Sequence, residues 1–102
     1  MTKRSEAAIA AIAEPRRREL LAILKEQGPL PVGLLASKVD VSQQAVSLHL
    51  KVLEEAGLVS ARRSGTKHLY AVRPEGFRPI QDFVSEFWNA KLAKLKRNVE
   101  SK

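Results

Sequence analysis

Two stretches hold most of the side chains able to do chemistry. The first, Ser42-Gln43-Gln44-Ala45-Val46-Ser47-Leu48-His49-Leu50-Lys51, gathers two amides, two hydroxyls, an imidazole and an ammonium into ten residues. The second, Arg62-Arg63-Ser64-Gly65-Thr66-Lys67-His68, sets two guanidinium groups, an ammonium and an imidazole around a small polar tip. A glutamine amide carries a donor and an acceptor side by side and fits the N6/N7 edge of adenine in a major groove. Arginine and lysine suit phosphate. Enzyme chemistry has far less to draw on. The only histidines are His49 and His68 and the only aspartates Asp40 and Asp82, a set from which no catalytic triad assembles. Cysteine is absent, which removes disulfides, thiolate metal sites and thiol nucleophiles together. The five glycines are isolated and form no phosphate-cradling loop. No catalytic residue is assigned and no enzyme is expected.

The first stretch reads as a helix over residues 42–56. Ser42 is its N-cap, Val46, Leu50 and Leu53 share one face, and Gly57 marks its end. On this register Gln43, Gln44 and Ser47 lie off the apolar face and are the base-reading candidates, with a plain solvated surface as the bland alternative. Leu48 points away from the core, where contact with a thymine methyl or partial cover by protein would account for it. His49 sits at the boundary, as a phosphate contact or as a packed, hydrogen-bonded structural residue. Lys51 is a phosphate candidate or an ordinary surface lysine. The second stretch is the turn of a hairpin, since Leu58 to Arg63 and Lys67 to Val72 are both β-prone. Its tip, with Arg62, Arg63, Thr66, Lys67 and His68, can reach phosphates or a minor groove.

Other elements must hold these two in place. Ser5 is the expected cap of a first helix over about residues 6–13, with Ile9 and Ile12 three residues apart. Pro15 opens a second helix whose Leu20, Leu21, Ile23 and Leu24 face inward and which stops at Gly28. Of Arg16, Arg17 and Arg18 at most two can face a polyanion, the others pairing with Glu14 or Glu19 or staying in water. Pro29-Leu30-Pro31 forces an extended link. A short helix over about Val32 to Lys38 buries Val32, Leu35 and Val39, and a tight turn follows at Asp40-Val41, where Asp tolerates a left-handed conformation. After Pro74 and Gly76, Phe77 to about Val99 reads as one long helix with Ile80, Phe83, Val84, Phe87, Trp88, Leu92 and Leu95 on one stripe. At 1.5 Å per residue it runs about 34 Å, which outreaches the core of its own subunit.

The chain of 102 residues has room for one compact domain. Hydrophobic residues at 44% and charged residues at 28% argue against wholesale disorder. The net charge of +7 is spread as +2, +2 and +3 over residues 1–40, 41–76 and 77–102, so no single tail causes it, and a polyanionic partner is expected. The longest apolar run, Ala7 to Ala13, is far too short to span a bilayer. Lys3 and Arg4 before that run imitate a signal peptide, but it is mostly alanine and leads straight into Glu14-Pro15-Arg16-Arg17-Arg18. A cytoplasmic protein is expected.

Helix, helix, short helix, tight turn, helix, basic hairpin and long helix together make a mostly α fold with a small β-hairpin wing, an α+β winged helix-turn-helix. The runs Ala11-Ile12-Ala13-Glu14-Pro15-Arg16-Arg17-Arg18-Glu19-Leu20-Leu21 and Ser42-Gln43-Gln44-Ala45-Val46-Ser47-Leu48-His49-Leu50-Lys51-Val52-Leu53-Glu54-Glu55-Ala56-Gly57-Leu58-Val59 closely resemble ArsR-type bacterial transcriptional repressors. The likeness runs from about Ala7 to Val72. It implies a homodimer joined through the first and last helices, here Ile9, Ile12, Phe83, Phe87, Trp88, Leu92 and Leu95, and a repressor that leaves double-stranded DNA on a signal. That signal is left open among a small apolar ligand, a protein partner and concentration alone. Many such proteins sense metals, but Leu34-Leu35-Ala36-Ser37 has no thiol and the last helix has no histidine. Asp82 and Glu86 alone make a weak, solvated pair, so no metal and no cofactor is expected. Two rival readings remain: a non-specific architectural DNA-binding protein, and a protein-interaction module using the aromatic stripe of the last helix.

Overall fold

The structure, a computed structural model, describes residues 2–100, with side chains through Asn98. Helix α1 spans Lys3–Ala13. Its cap is Thr2 rather than Ser5: the Thr2 hydroxyl accepts from the Ser5 backbone N–H at 3.2 Å, while the Ser5 hydroxyl accepts from the Thr2 backbone N–H at 3.0 Å. Two hydroxyls three residues apart form a reciprocal capping box, which starts the helix earlier than a single cap at Ser5 would and buries Ser5. The small residues of α1 face the core, with Ala8 and Ala11 fully covered.

Glu14 alone separates α1 from α2 (Pro15–Gln27). Its carboxylate accepts from the backbone N–H groups of Arg16 at 2.7 Å and Arg17 at 3.2 Å, in the first turn where the helix dipole favours negative charge. Replacing Glu14 by Ala should cost about 1 kcal/mol. The check is a urea unfolding curve whose midpoint drops at unchanged slope. Arg17 and Arg18 reach back to the open end of α1, where Arg17 Nε donates to the Ala11 carbonyl and Arg18 Nη1 to those of Ile12 and Ala13. These carbonyls have no partner within α1, so two charged donors satisfy them. Arg16 instead pairs with Glu19 at 3.0 Å.

Leu30–Pro31 is more than a link. It forms strand β1, pairing antiparallel with a later strand through Leu30↔Tyr70 and Pro31↔Leu69. Pro31 has no N–H to give a ladder, and an edge position tolerates this. Helix α3 covers Val32–Ala36, shorter than expected, and buries Leu35. No described residue other than glycine has positive φ, so Asp40 does not take the left-handed conformation. Helix α4 runs Gln43–Glu55, capped by Ser42, whose hydroxyl accepts from the Ala45 N–H at 3.1 Å. It ends on Gly57 at φ 79°, with Leu58 N–H bonded to the Leu53 carbonyl and Gly57 N–H to that of Glu54. This is a Schellman motif, sealed by buried Leu53 and Leu58.

Strands β2 (Val59–Ser64) and β3 (Lys67–Val72) form the wing, joined by Gly65-Thr66. Gly65 at φ 63°, followed by a residue of negative φ, matches a type II′ turn. The sheet order is β1-β3-β2, so the wing has three strands rather than the two of a bare hairpin. A single 3-10 turn over Pro74–Phe77 leads into α5 (Arg78–Glu100). Leu20, Leu24, Leu35, Val46, Leu50, Leu53, Leu58 and Val59 fill the core. The start of α5 packs on α1, but its far half leaves the body. The chain extends to 65 Å with a radius of gyration of 17.6 Å, against about 13 Å for a compact chain of this length. No helix among the described residues is long and apolar enough to cross a membrane.

Candidate nucleic-acid interface

Helix α4 has two unlike faces. Val46, Leu50 and Leu53 are fully buried against α2, α3 and β2. Opposite them Gln43, Gln44, Ser47, Leu48 and Lys51 are all exposed, and Leu48 is 66% exposed. Gln44, Leu48 and Val52 follow one another at four-residue spacing, as do Gln43, Ser47 and Lys51, so amides, hydroxyl, leucine and ammonium form two adjacent rows. Val52, 38% exposed, extends the first row and was not singled out from the sequence. Gln43 Oε1 leans over the start of α3, 3.9 Å from where a Cβ on Gly33 would lie, and this leaves Gln44 the less encumbered amide. Ser42 is exposed, but its oxygen is engaged as the cap, so its first task is to hold the N-terminal turn.

His49 lies half-buried between these faces. Its Nδ1 is 3.4 Å from Arg17 Nη1, a contact linking α4 to α2 that sequence reasoning did not anticipate. The three arginines at the start of α2 are thus committed to protein groups, one to Glu19, one to Ala11 and His49, one to the end of α1.

On the wing Arg62, Arg63, Thr66, Lys67 and His68 are exposed. Directly paired residues of an antiparallel ladder share a face. Arg63 therefore stands with His68, on the face whose inner end is Val59 and Val72, while Arg62 stands with Leu69, beside the Ser64–Lys67 pair. Cations flank the wing on both faces.

The last helix presents Phe87 at 62%, Trp88 at 59%, Leu92 at 56% and Leu95 at 51% exposed, an apolar stripe open to water. Phe83 is half-buried and meets Phe87 edge to face, with centroids 5.2 Å apart. Ile9 is half-buried, and Ile12, also half-buried, packs partly on the chain's own core. Asp82 is paired with Arg78 at 3.1 Å rather than with Glu86. No group of three His, Cys, Asp or Glu side chains among the described residues could hold a metal ion.

A helix-turn-helix domain model matches residues 12–61. An HTH-type transcriptional regulator of Mycobacterium tuberculosis, Rv2034, is 38% identical over 91 residues, covering 89% of this chain and 84% of the relative. The chain belongs to the ArsR family of winged helix-turn-helix transcriptional regulators. The crystal structure of an ArsR family transcriptional regulator, RHA00566, superposes with a TM-score of 0.77 at 25% identity, over 86% of this chain and 90% of the other. A solution structure of a homodimeric winged helix-turn-helix DNA-binding domain from Mycobacterium bovis matches with a TM-score of 0.68 at 28% identity, over 81% and 79% of the two chains. In this ArsR-family chain the helix-turn-helix match covers α2 through α4 and the start of the wing, and leaves α5 outside it.

Proposed function

We propose that this ArsR-type regulator is a homodimeric repressor that binds an inverted repeat of double-stranded DNA. Helix α4 enters the major groove with Gln43, Gln44, Ser47 and Leu48 at base edges, and Lys51 and His49 lie toward phosphates. Arg62, Arg63, Thr66, Lys67 and His68 of the wing meet the neighbouring backbone or minor groove. The single observation that carries this reading is the two-faced α4, buried to 0% at Val46, Leu50 and Leu53 and open along its polar side next to a basic wing. A +7 chain supplies the field that draws in a polyanion. Dimerisation through the stripe from Phe83 to Leu95, with Ile9 and Ile12 beside it, accounts for apolar side chains that α5 leaves in water. The family is a class of DNA-binding regulators rather than of enzymes.

The test is selection from a random duplex library with the full chain. Enrichment of an inverted repeat with half-sites about 10 base pairs apart supports the reading, and recovery of no common sequence overturns it. On the selected duplex, Gln44→Ala should cost about 1–3 kcal/mol and flatten preference at one position per half-site. Arg63→Ala should weaken selected and scrambled duplexes alike and lower the slope of log K against log salt by about one per protomer. Fluorescence anisotropy across a salt series measures both.

A further inference from the structure

Arg17 joins three helices. Its Nε donates to the Ala11 carbonyl at 2.6 Å in the last turn of α1, and its Nη1 lies 3.4 Å from Nδ1 of His49 on α4. A guanidinium has five N–H donors and no acceptor, so this contact is a hydrogen bond only when Nδ1 offers its lone pair. The imidazole of a neutral His49 then carries its proton on Nε2, on the other side of the ring. No ion pair among the described residues includes the side chain of Arg17 or His49, so none of the described carboxylates competes for either side chain. The neighbouring arginines cannot replace Arg17, since Arg16 is held by Glu19 and Arg18 by the carbonyls of Ile12 and Ala13.

Building on the DNA reading above, we propose that Arg17 is a positioning residue: it fixes His49 as the Nε2–H tautomer and so presents that N–H to a DNA phosphate, while tying the reading helix to α1. The structural and the phosphate-binding roles of His49 then belong to different nitrogens. The inner one is an acceptor for Arg17, and the outer one is a donor to the duplex. A lysine at position 17 is a single point of charge without the fork that spans both partners.

The test has two arms on the full chain. In long-range proton–nitrogen spectra of the free protein at pH 8, with His49 assigned through His49→Gln, the wild type shows its proton on Nε2, and Arg17→Met shows a mixture of tautomers. On the selected duplex, Arg17→Met and His49→Phe each bind about tenfold more weakly, as loss of one hydrogen bond to a charged partner implies. His49→Gln stays within about twofold of wild type, because its amide keeps one acceptor and one donor. The salt slope of Arg17→Met stays at the wild-type value. A proton on Nδ1 in the wild type overturns the proposal. So does a salt slope about one unit smaller per protomer in Arg17→Met, which marks Arg17 itself as a phosphate contact. His49→Phe binding as well as wild type also overturns it. Should Arg17→Met fail to fold, the wild-type spectrum and the Gln and Phe variants of His49 decide. If the wild type selects no duplex, the DNA reading fails, and the tautomer result still reports on the Arg17 contact.

Discussion

Replacing Phe87 and Trp88 together by glutamate is expected to leave the chain monomeric and to reduce its affinity for the selected inverted repeat by about a hundredfold or more. Both side chains are more than half exposed, so charges there leave the subunit's own core intact and the circular dichroism spectrum unchanged. In a dimer the same positions are covered, and four carboxylates would be taken out of water without partners. Loss of affinity follows from geometry. Each protomer alone holds one half-site, and the second contact loses the effective concentration that the partner supplies. Sedimentation equilibrium should give the mass of one chain where the wild type gives two. A double variant that remains dimeric and binds as before would place the dimer interface elsewhere.

Gly76→Ala should be the most damaging single substitution in the fold. A Cβ at this position would overlap the Gly57 carbonyl oxygen and lie 2.7 Å from the Gly57 carbon, both backbone atoms that no rotamer change can move. Gly57 is also the left-handed residue that closes α4, and its carbonyl accepts from Arg73 Nη1 at 3.3 Å. The end of the reading helix and the approach to α5 are thus pressed together at this point. Forcing them apart should cost about 3 kcal/mol or more, a fall in Tm of about 15 °C for a domain of this size. Gly65→Ala is the control. It has φ 63° but nothing within 4 Å, so only backbone strain opposes it and the cost is about 1 kcal/mol. Differential scanning calorimetry of the two variants should rank them widely apart, and equal losses would contradict the packing at Gly57.

Local signals made α4, the wing and α5 readable. Ser42 and Gly57 bracket a 3.6-residue apolar repeat, and every polar residue singled out on α4 lies on its open side apart from half-buried His49. What the sequence hid depends on partners distant along the chain. Strand β1 has only two residues and exists because Tyr70 and Leu69 lie opposite it, a pairing that a Pro-Leu-Pro run does not advertise. At the N-terminus Thr2 and Ser5 are both good caps, and only the reciprocal bonds between them decide which one starts the helix. Arg17 and Arg18 read as surface cations because their acceptors are carbonyls five or six residues back, at an end of α1 created by the turn at Glu14. Periodicity also cannot tell a half-buried residue from an exposed one next to it, so Val52 was not picked out as part of the open face, and Ile12 was assigned to the interface alone.

The distance between the two reading helices tests the central claim most directly. The chain has no cysteine, so Ser47→Cys gives one spin-label site per protomer on the open face of α4. Dipolar spectroscopy of the labelled protein with the selected duplex should give one narrow distance near 34 Å, one turn of the double helix. A signal without dipolar coupling, or a distance that leaves the two helices unable to enter successive major grooves on one side of a duplex, would contradict the account.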